Sequence, residues 1–222
     1  MGGSRPLAMF PLSAVLFPGM ELPLHVFEPR YQELTDHCLA GDGQFGVVLI
    51  ARGSEVGGGD QRFAVGTVAQ IAAASRFDDG RWALLVHGTR RIAVTEWLPD
   101  APYPRAVVDD LSEGDDSEDE ARFERATAAV RRARTLMSEL GSPAPVVADL
   151  GASTDGGAEG WRLWRLCAMA PVTALDGQRL LETEDPGARL SLLTDLCEAL
   201  AVDLSRLLGA GPATEGPVPP DV

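Results

Sequence analysis

The stretch Phe10–Tyr31, which reads FPLSAVLFPGMELPLHVFEPRY, decides how the first half of the chain folds. It begins inside one short apolar run, Ala8–Leu12, and contains another, Val15–Phe17, and both have the length of strands. Pro18-Gly19 is a turn signal. Apolar residues then alternate along Glu21–Phe27, which predicts a further strand.

The end of this stretch predicts an edge strand followed by a helix. Pro23 cannot donate a hydrogen bond to a neighbouring strand, so its strand is expected at the edge of a sheet. Glu28-Pro29 begins the helix, because the first helical amide has no internal partner and proline costs nothing there. Gly41 is placed to end it. The predicted buried face comprises Tyr31, Leu34, Thr35, Cys38 and Leu39.

The residues up to position 111 predict further short strands. A glycine-rich loop, Arg52–Arg62, interrupts them, Asp78-Asp79-Gly80 is typical of a hairpin turn, and Gly88 marks a break or a bulge. The predicted strands are Phe45–Ala51, Ala64–Arg76, Arg81–Val86, Arg91–Trp97 and Ala106–Leu111. Six or more strands with one interposed helix favour a small closed or half-closed barrel.

Residues 118–208 predict four helices, because Ala, Leu, Arg and Glu recur there at helical spacing. Trp161–Ala170 is apolar on most sides, as the central helix of a bundle would be. Thr173 precedes Asp176 by three residues, in the spacing of a capping box, and Asp185-Pro186 begins the last helix. The stripe of the first helix comprises Phe123, Thr127, Val130, Ala133, Met137 and Leu140. Four helices with short connections suit a compact bundle.

The sequence therefore predicts the α+β class, with a β-barrel or sheet that contains one helix, followed by a helical bundle. Eight acids lie between Asp109 and Glu120, and their charges favour a solvated linker. The predicted divisions are a disordered N-terminus at 1–7, a β domain at 8–111, an acidic linker at 112–120, a bundle at 121–208 and a disordered, proline-rich tail at 209–222.

Composition excludes several classes of function. The 222 residues carry a net charge of −14, and all 19 basic residues are arginine. Without lysine there is no P-loop lysine, no Schiff-base amine and no Ser-Lys dyad. Arginine cannot take over these roles, because it stays protonated. The acidic balance also disfavours binding to nucleic acids and anionic membranes, which depends on cationic contacts.

Signals for metal binding, redox chemistry and export are missing from the sequence. Cys38, Cys167 and Cys197 have no Cys-x-x-Cys spacing and are expected to be reduced thiols packed as small hydrophobes. The three histidines offer no metal-ligand spacing, and no Gly-x-Ser-x-Gly motif is present. Pro11 and Pro18 break the first apolar run, so no signal peptide is expected. The expectation is a cytoplasmic protein without cofactor, metal or catalytic residue.

The motifs that carry a family resemblance lie in both halves of the chain. Phe10-Pro11-Leu12, Phe17-Pro18-Gly19 and the run from Leu22 to Tyr31 resemble, in this order, the N-terminal substrate-binding domain of Lon proteases. Further similar segments are Phe45–Leu49, Val65–Ala69, Leu84 with Gly88–Ile92, and Leu180–Leu193. The resemblance covers about residues 8–208. It implies a PUA-like β-barrel followed by a helical bundle, and a role in recognising polypeptide.

Lon proteases carry an ATPase module and a Ser-Lys peptidase module after this domain, and the chain ends where they would begin. The resemblance therefore implies a stand-alone, non-catalytic polypeptide-recognition protein that acts as an adaptor or quality-control factor. Its partners would be unfolded or exposed apolar polypeptide segments and a separate protease machine. A groove between barrel and bundle would hold the segment, whose backbone could extend an edge strand. The alternative is a PUA-like module for a small ligand or RNA, against which the net charge argues.

Eight residues are candidates for binding. His25, Glu28 and Arg30 form a polar cluster at a strand-to-helix junction; alternatively, Glu28 caps the helix and Arg30 pairs with an acid. The glycine-rich loop either approaches a partner closely or is a plain connector. Five large aromatic residues are expected mostly in the core, namely Phe17, Phe27, Trp82, Trp97 and Tyr103. Of these, Trp97 and Tyr103 flank a proline-rich turn and are the better candidates for exposed anchors. The complete candidate set is His25, Glu28, Arg30, Glu55, Asp60, Arg62, Trp97 and Tyr103.

Overall fold

The computed structural model describes residues 5–53, 61–113, 120–141 and 160–210. Their strands are β1 (Arg5–Leu12), β2 (Glu21–Val26), β3 (Gln44–Arg52), β4 (Gln61–Arg76), β5 (Trp82–Leu98) and β6 (Arg105–Asp110). Their helices are α1 (Pro29–Ala40), α2 (Glu120–Glu139), α3 (Gly160–Met169), α4 (Ala174–Glu182) and α5 (Pro186–Ala210). The α+β class is confirmed, with one helix among the strands and four after them.

Five of the strands close into a ring. β1 pairs with β3 in parallel and with β6 in antiparallel orientation, β3 pairs with β4, and β5 pairs with both β4 and β6. Among the described strands, β2 pairs with β5 alone, so it is the edge strand that Pro23 predicted. The pairing of β4 with β5 shifts between Gly88 and Arg90, so Gly88 marks a bulge within one long strand.

The connection from β1 to β2 differs from the prediction. Val15–Phe17 is not a strand, because the chain leaves the sheet here. Neighbouring side chains of this connection pack in two different hydrophobic cores, one in the barrel and one among the helices. Leu16 packs inside the barrel, whereas Phe17 packs among the helices. The ring of Phe17 stacks on Trp164 of α3 at a centroid distance of 5.7 Å.

A glycine holds this connection against the barrel. The amide of Gly19 donates to the carbonyl of Gly88 at 2.8 Å, and the amide of Gly88 donates to the carbonyl of Met20 at 2.9 Å. A Cβ atom at position 88 would lie 2.3 Å from the carbonyl oxygen of Phe17. The Phe-Pro-Gly turn therefore requires glycine on the facing strand.

Several elements begin or end at residues other than the predicted ones. β1 begins at Arg5 and pairs with β6 from there, so residues 5–7 belong to the barrel rather than to a disordered N-terminus. β3 reaches Arg52 and β4 begins at Gln61, which shortens the glycine-rich loop. α5 continues to Ala210, two residues into the expected tail. Residues 211–222 and most of the acidic linker, 114–119, lie outside the described residues.

The helices follow the sequence signals at their ends more closely than along their faces. α1 begins at Pro29, α5 begins at Pro186, and the hydroxyl of Thr173 accepts the amide of Asp176 at 3.1 Å, as the capping spacing predicted. Leu39, however, is 41% exposed. α3 buries Leu163, Trp164, Leu166 and Cys167 but exposes two arginines, so it is amphipathic rather than apolar on most sides. None of the described helices combines the length and the apolar character needed to span a bilayer.

Two buried arginines, Arg91 of β5 and Arg189 of α5, join the barrel to the bundle. Their guanidinium carbons lie 5.7 and 3.8 Å from the centroid of the Trp164 ring. Both arginines pair with Glu113, at 2.9 and 3.7 Å. Main-chain oxygens of Ser112 and Leu181 accept hydrogen bonds from Arg91, and those of Leu180 and Thr183 from Arg189. Glu113, expected in a solvated linker, is thus an ion-pair partner in the junction.

Candidate functional site

The strand-to-helix junction carries three of the predicted site residues, of which Glu28 and Arg30 are in direct contact. β2 ends at Val26, and the chain turns through Glu28 into α1, while the exposed His25 lines a cavity together with Glu28. The Arg30 Nε donates to Glu28 Oε2 at 3.1 Å, and both side chains are mostly buried. Glu28 occupies the N-cap position of α1, but its side chain makes no capping hydrogen bond. The two charges therefore neutralise each other beside the helix start.

Stacked aromatic rings lie beneath this ion pair. The guanidinium carbon of Arg30 lies 4.5 Å from the centroid of the Tyr31 ring, which stacks on Phe10 with centroids 4.1 Å apart and an interplanar angle of 13°. A cavity of about 170 Å³ opens at this point, and its lining includes His25 and Glu28 as well as both rings. The cavity thus combines an apolar floor with a rim whose ion pair is internally neutralised.

Two exposed phenylalanines, one of which lines this cavity, are absent from the predicted site residues. Phe27 is 55% exposed and Phe77 is 48% exposed, so the expectation that Phe27 lies in the core is wrong. Each follows directly after a paired strand end: Val26 and Arg76 both pair with Trp82 of β5. Their strands are therefore two spacings apart, or about 10 Å. We refer to Phe27 and Phe77 as the phenylalanine pair.

Local contacts hold the phenylalanine pair at this end of the sheet. The carbonyl of Phe27 accepts a hydrogen bond from Gln32 Nε2 of α1 at 3.0 Å. The turn after Phe77 closes through the amide of Gly80, which donates to the Phe77 carbonyl at 3.0 Å, with Gly80 at a φ of 87°. The Arg81 guanidinium carbon lies 5.7 Å from the Phe77 ring centroid. The exposed rings are therefore carried on an ordered backbone. A spaced pair of aromatics, each placed just after a strand, is the signal that could have located them.

Arg62 and Trp97 form a separate contact on the barrel. The Arg62 guanidinium carbon lies 4.7 Å from the Trp97 ring centroid, and Arg62 pairs with Asp100 at 3.8 Å. Arg62 belongs to β4 rather than to the glycine-rich loop, and Trp97 is half-buried beneath it. The structure does not bring these two residues together with His25. Glu55 and Asp60, the other loop candidates, lie outside the described residues.

Tyr103 is buried rather than an exposed anchor. It is 6% exposed, and its hydroxyl lies 2.8 Å from His37 Nδ1 of α1. Burial raises the pKa of Tyr103, with a smaller contribution from Cys38. The prediction failed because the proline-containing turn folds back onto α1 and presents the ring to the protein.

The three cysteines are free and buried. Burial raises the pKa of Cys38 and Cys167 to about 12 and that of Cys197 to about 11, so these thiols stay protonated near neutral pH. Within the described parts of the chain, no three His, Cys, Asp or Glu side chains are placed to hold a metal ion.

Among the described residues, the space between barrel and bundle, where a groove was expected, is mostly filled. A cavity of about 190 Å³ remains beside Trp161, Trp164 and Arg189. This is smaller than the roughly 300–1,000 Å³ of ordinary ligand pockets. The buried arginines and Trp164 occupy the space that a bound segment would need.

Comparisons with known proteins agree with this architecture. A family model described as the ATP-dependent protease La (LON) substrate-binding domain matches residues 6–199. Lon protease 2 of Myxococcus xanthus is 31% identical over 195 residues, which are 86% of this chain and 23% of that protein. Lon protease of Anaeromyxobacter dehalogenans is 30% identical, over 86% of this chain and 22% of that protein. The chain spans less than a quarter of the length of these relatives.

Solved structures show the same relationship. The crystal structure of a Lon N-terminal domain protein from Xanthomonas campestris aligns with a TM-score of 0.63 and 28% identity, covering 86% of this chain and 98% of that one. The N-terminal domain of a Mycobacterium avium complex Lon protease aligns with a TM-score of 0.58 over 87% of this chain and 98% of that one; at 18% identity this likeness concerns the fold alone. With the family model matching most of its length, the chain belongs to the Lon substrate-binding domain family.

Proposed function

We propose that this protein binds exposed apolar segments of unfolded polypeptides at the phenylalanine pair and does no chemistry on them. The observation that carries the proposal is that Phe27 and Phe77 are both about half exposed at one end of the sheet. Exposed apolar patches are typical of interaction sites, and the two rings follow strand ends about 10 Å apart, within the span of a short extended segment. Burying a phenylalanine side chain is worth about 1.5–3 kcal/mol.

The chemistry around the phenylalanine pair suits an apolar ligand. The adjacent cavity has Phe10 and Tyr31 as its floor, and the charges of Glu28 and Arg30 cancel at its rim. A partner side chain can enter it without leaving an unpaired charge, which would otherwise oppose apolar binding.

An extended segment could also use the backbone of β2. This strand lies at the edge of the sheet and leads directly to Phe27. A peptide added beside β2 would gain main-chain hydrogen bonds while its alternate side chains reach the phenylalanine pair. Pro23 removes one donor from this edge, so the side chains rather than the ladder supply most of the affinity.

A binding role without catalysis is part of the same proposal. The chain has no lysine for a Ser-Lys dyad or a P-loop, and the thiols of Cys38, Cys167 and Cys197 stay protonated near neutral pH. We further propose that the protein works in the cytoplasm as an adaptor or quality-control factor for a separate protease machine, in keeping with its family. A pull-down from native cytoplasm that recovers no protease component would contradict the adaptor role while leaving polypeptide binding intact.

Fluorescence anisotropy with a labelled, permanently unfolded model protein, such as reduced and carboxymethylated α-lactalbumin, tests polypeptide binding. We expect saturable binding to the wild type and at least fivefold weaker binding to the double variant F27S/F77S. The matched control is L175S/L207S, which removes two side chains of similar exposure, 58% and 62%, from the helical part. Absence of saturable binding, or equal losses in both variants, would contradict the proposal.

Salt dependence separates this function from RNA binding. Apolar contacts change little between 50 and 500 mM salt, whereas phosphate binding weakens steeply because counterions are released. A steep loss of affinity for the unfolded protein would therefore argue against the phenylalanine pair as the binding site.

A further inference from the structure

Four arginines line a groove between α2 and α3. The groove has a volume of about 550 Å³. Arg131 and Arg134 lie one turn apart on α2, and Arg162 and Arg165 lie one turn apart on α3. In the sequence, the basic cluster of Arg131, Arg132 and Arg134 is far from Arg162 and Arg165. The packing of α3 beside α2 brings arginines from both helices to the same groove.

Two of these arginines are engaged within the protein. The Nη1 of Arg134 donates to the carbonyl of Met169 at 2.8 Å and so ties the end of α3 to α2. The guanidinium carbon of Arg162 lies 4.4 Å from the Phe123 ring centroid, and Arg162 pairs with Glu120 at 3.4 Å. These contacts fix the two helices and the shape of the groove.

The other two arginines face solvent. Arg131 and Arg165 are exposed on opposite sides of the groove, and neither makes an ion pair within the part of the chain that the structure describes. Their charges are therefore available to a partner.

The floor of the groove is apolar. It contains Phe123, Val130, Leu166 and Met169, and Met169 is 39% exposed. A ligand that only neutralises charge would leave this floor uncovered, whereas an amphipathic ligand would cover it and pair with the arginines.

The charge of this region is opposite to that of the whole chain. α2 and α3 together carry seven arginines and three glutamates, although the chain has a net charge of −14. Because interactions between surface charges fade beyond about 8 Å at physiological salt, a ligand in the groove responds mainly to these nearby arginines.

We propose that the α2–α3 groove binds an acidic amphipathic helix of a partner protein. Apolar side chains of that helix cover the groove floor, as in other helix-in-groove complexes. Carboxylates one turn apart on the partner face Arg131 and Arg165, since residues three and four apart share a helix face. Nucleic acid fits less well, because its phosphates would pair with the arginines but leave the apolar floor of the groove uncovered.

This site is independent of polypeptide binding at the phenylalanine pair. It lies on the helices and selects acidic ligands, whereas the phenylalanine pair lies on the barrel beside a neutralised rim. The groove gives the protein a second binding site, which can hold an acidic partner while an unfolded segment is bound at the phenylalanine pair.

The test uses the full chain and two labelled helical peptides. One carries Leu at spacings of three and four residues with Glu on the flanking positions, and the other has Lys in place of every Glu. We expect anisotropy to show saturable binding of the Glu peptide and at least tenfold weaker binding of the Lys peptide. The variant R131E/R165E should weaken binding of the Glu peptide by about tenfold or more, because it turns two attractions into repulsions.

The matched control is R125E/R132E. Both positions are exposed on α2, outside the groove lining, and the charge change is the same. We expect less than a threefold effect on the Glu peptide. All four positions are exposed, so both variants should keep the wild-type circular dichroism spectrum and melting temperature.

Three outcomes would overturn the proposal. Equal weakening in both variants would show a general effect of charge rather than a groove. Tighter binding of a single-stranded RNA oligonucleotide, lost in R131E/R165E, would assign the arginines to nucleic acid. Binding of the Glu peptide only after residues 142–159 are replaced by a Gly/Ser chain of equal length would show that the protein's own connection fills the groove.

Discussion

The guanidinium carbon of Arg189 lies 3.8 Å from the centroid of the Trp164 ring, and both side chains are almost completely buried. Arginine suits such a place better than lysine would, because its flat, weakly hydrated cation stacks on aromatic rings and donates in several directions. Glu113 and main-chain oxygens satisfy the charge and the donors of Arg189. Through its pair with Glu113, Arg189 adds a buried polar contact at the place where the chain passes from the barrel to the bundle.

Removing this contact should cost the protein much of its stability. We expect Arg189→Met to lower the free energy of unfolding by about 3 kcal/mol, because the carbonyls of Leu180 and Thr183 lose a buried donor and Glu113 loses one of its two cations. Urea unfolding at pH 7 measures the change. Arg179→Met, which breaks an exposed pair with Asp176, is the control and should change stability by less than about 0.5 kcal/mol. Similar effects in the two variants would mean that the buried contact is no stronger than a surface pair.

Two glycines should respond in opposite ways to the same substitution. Gly88→Ala places a methyl group against the Phe17 carbonyl, and we expect a loss of about 2 kcal/mol or more. Gly209 lies in the last turn of α5 with nothing within 4 Å of an added Cβ, so Gly209→Ala should be neutral or stabilising by up to about 1 kcal/mol. Thermal melts of both variants test this, and a Gly88→Ala protein that melts like the wild type would show that the turn can move away.

The cap of α4 should contribute measurably to stability. Thr173→Ala removes the oxygen that accepts the Asp176 amide, and we expect a loss of about 1 kcal/mol in urea unfolding. Thr135→Ala, on the exposed face of α2, is the matched control. Its hydroxyl bonds to the carbonyl of Arg131 one turn earlier, an interaction that contributes little to a helix. The prediction fails if both threonine variants change stability equally.

The buried thiols should make the protein sensitive to alkali. Burial raises the pKa of Cys167 from 9.0 to about 12, so below about pH 9 the thiol is protonated in both states and pH has no effect through it. Above that, the unfolded chain loses the proton first, and the free energy of unfolding falls by up to about 1.4 kcal/mol per pH unit until the folded thiol ionises. Urea midpoints at pH 8, 9.5 and 10.5 measure the slope.

The variant Cys167→Ala isolates this contribution. Its absolute stability can differ from that of the wild type, but its alkaline slope should be shallower. Cys38 and Cys197 keep a residual slope, since burial raises their pKa as well. An unchanged slope in Cys167→Ala would assign the alkaline sensitivity to other groups.

The sequence predicted the elements that have local signals. Pro29 and Pro186 mark helix starts, Pro23 marks the edge strand and Gly88 marks the bulge, because each depends on the backbone of one or two residues. The strand expected at Val15–Phe17 was wrong because a distant contact, the stack of Phe17 on Trp164, overrides an apolar run.

The site was less predictable, because exposure depends on what packs where. Tyr103 looked like an anchor until the turn that carries it folded onto His37 of α1. Phe27 looked like a core residue, yet β2 ends one residue earlier and leaves the ring outside. Arg131 and Arg165 come together through the packing of two helices, which no spacing within either helix shows.

The pairing of β1 with β6 has a consequence for how the chain folds as it is made. Arg5 lies opposite Val108, so β1 cannot complete its pairing with β6 until the last strand of the ring has left the ribosome. At about 5–20 residues per second, this leaves the barrel open for roughly 5–20 s of translation. Arg91 must wait almost as long, for a carbonyl 90 residues further along. The nascent protein therefore passes through a stage at which its own apolar strands need protection from aggregation.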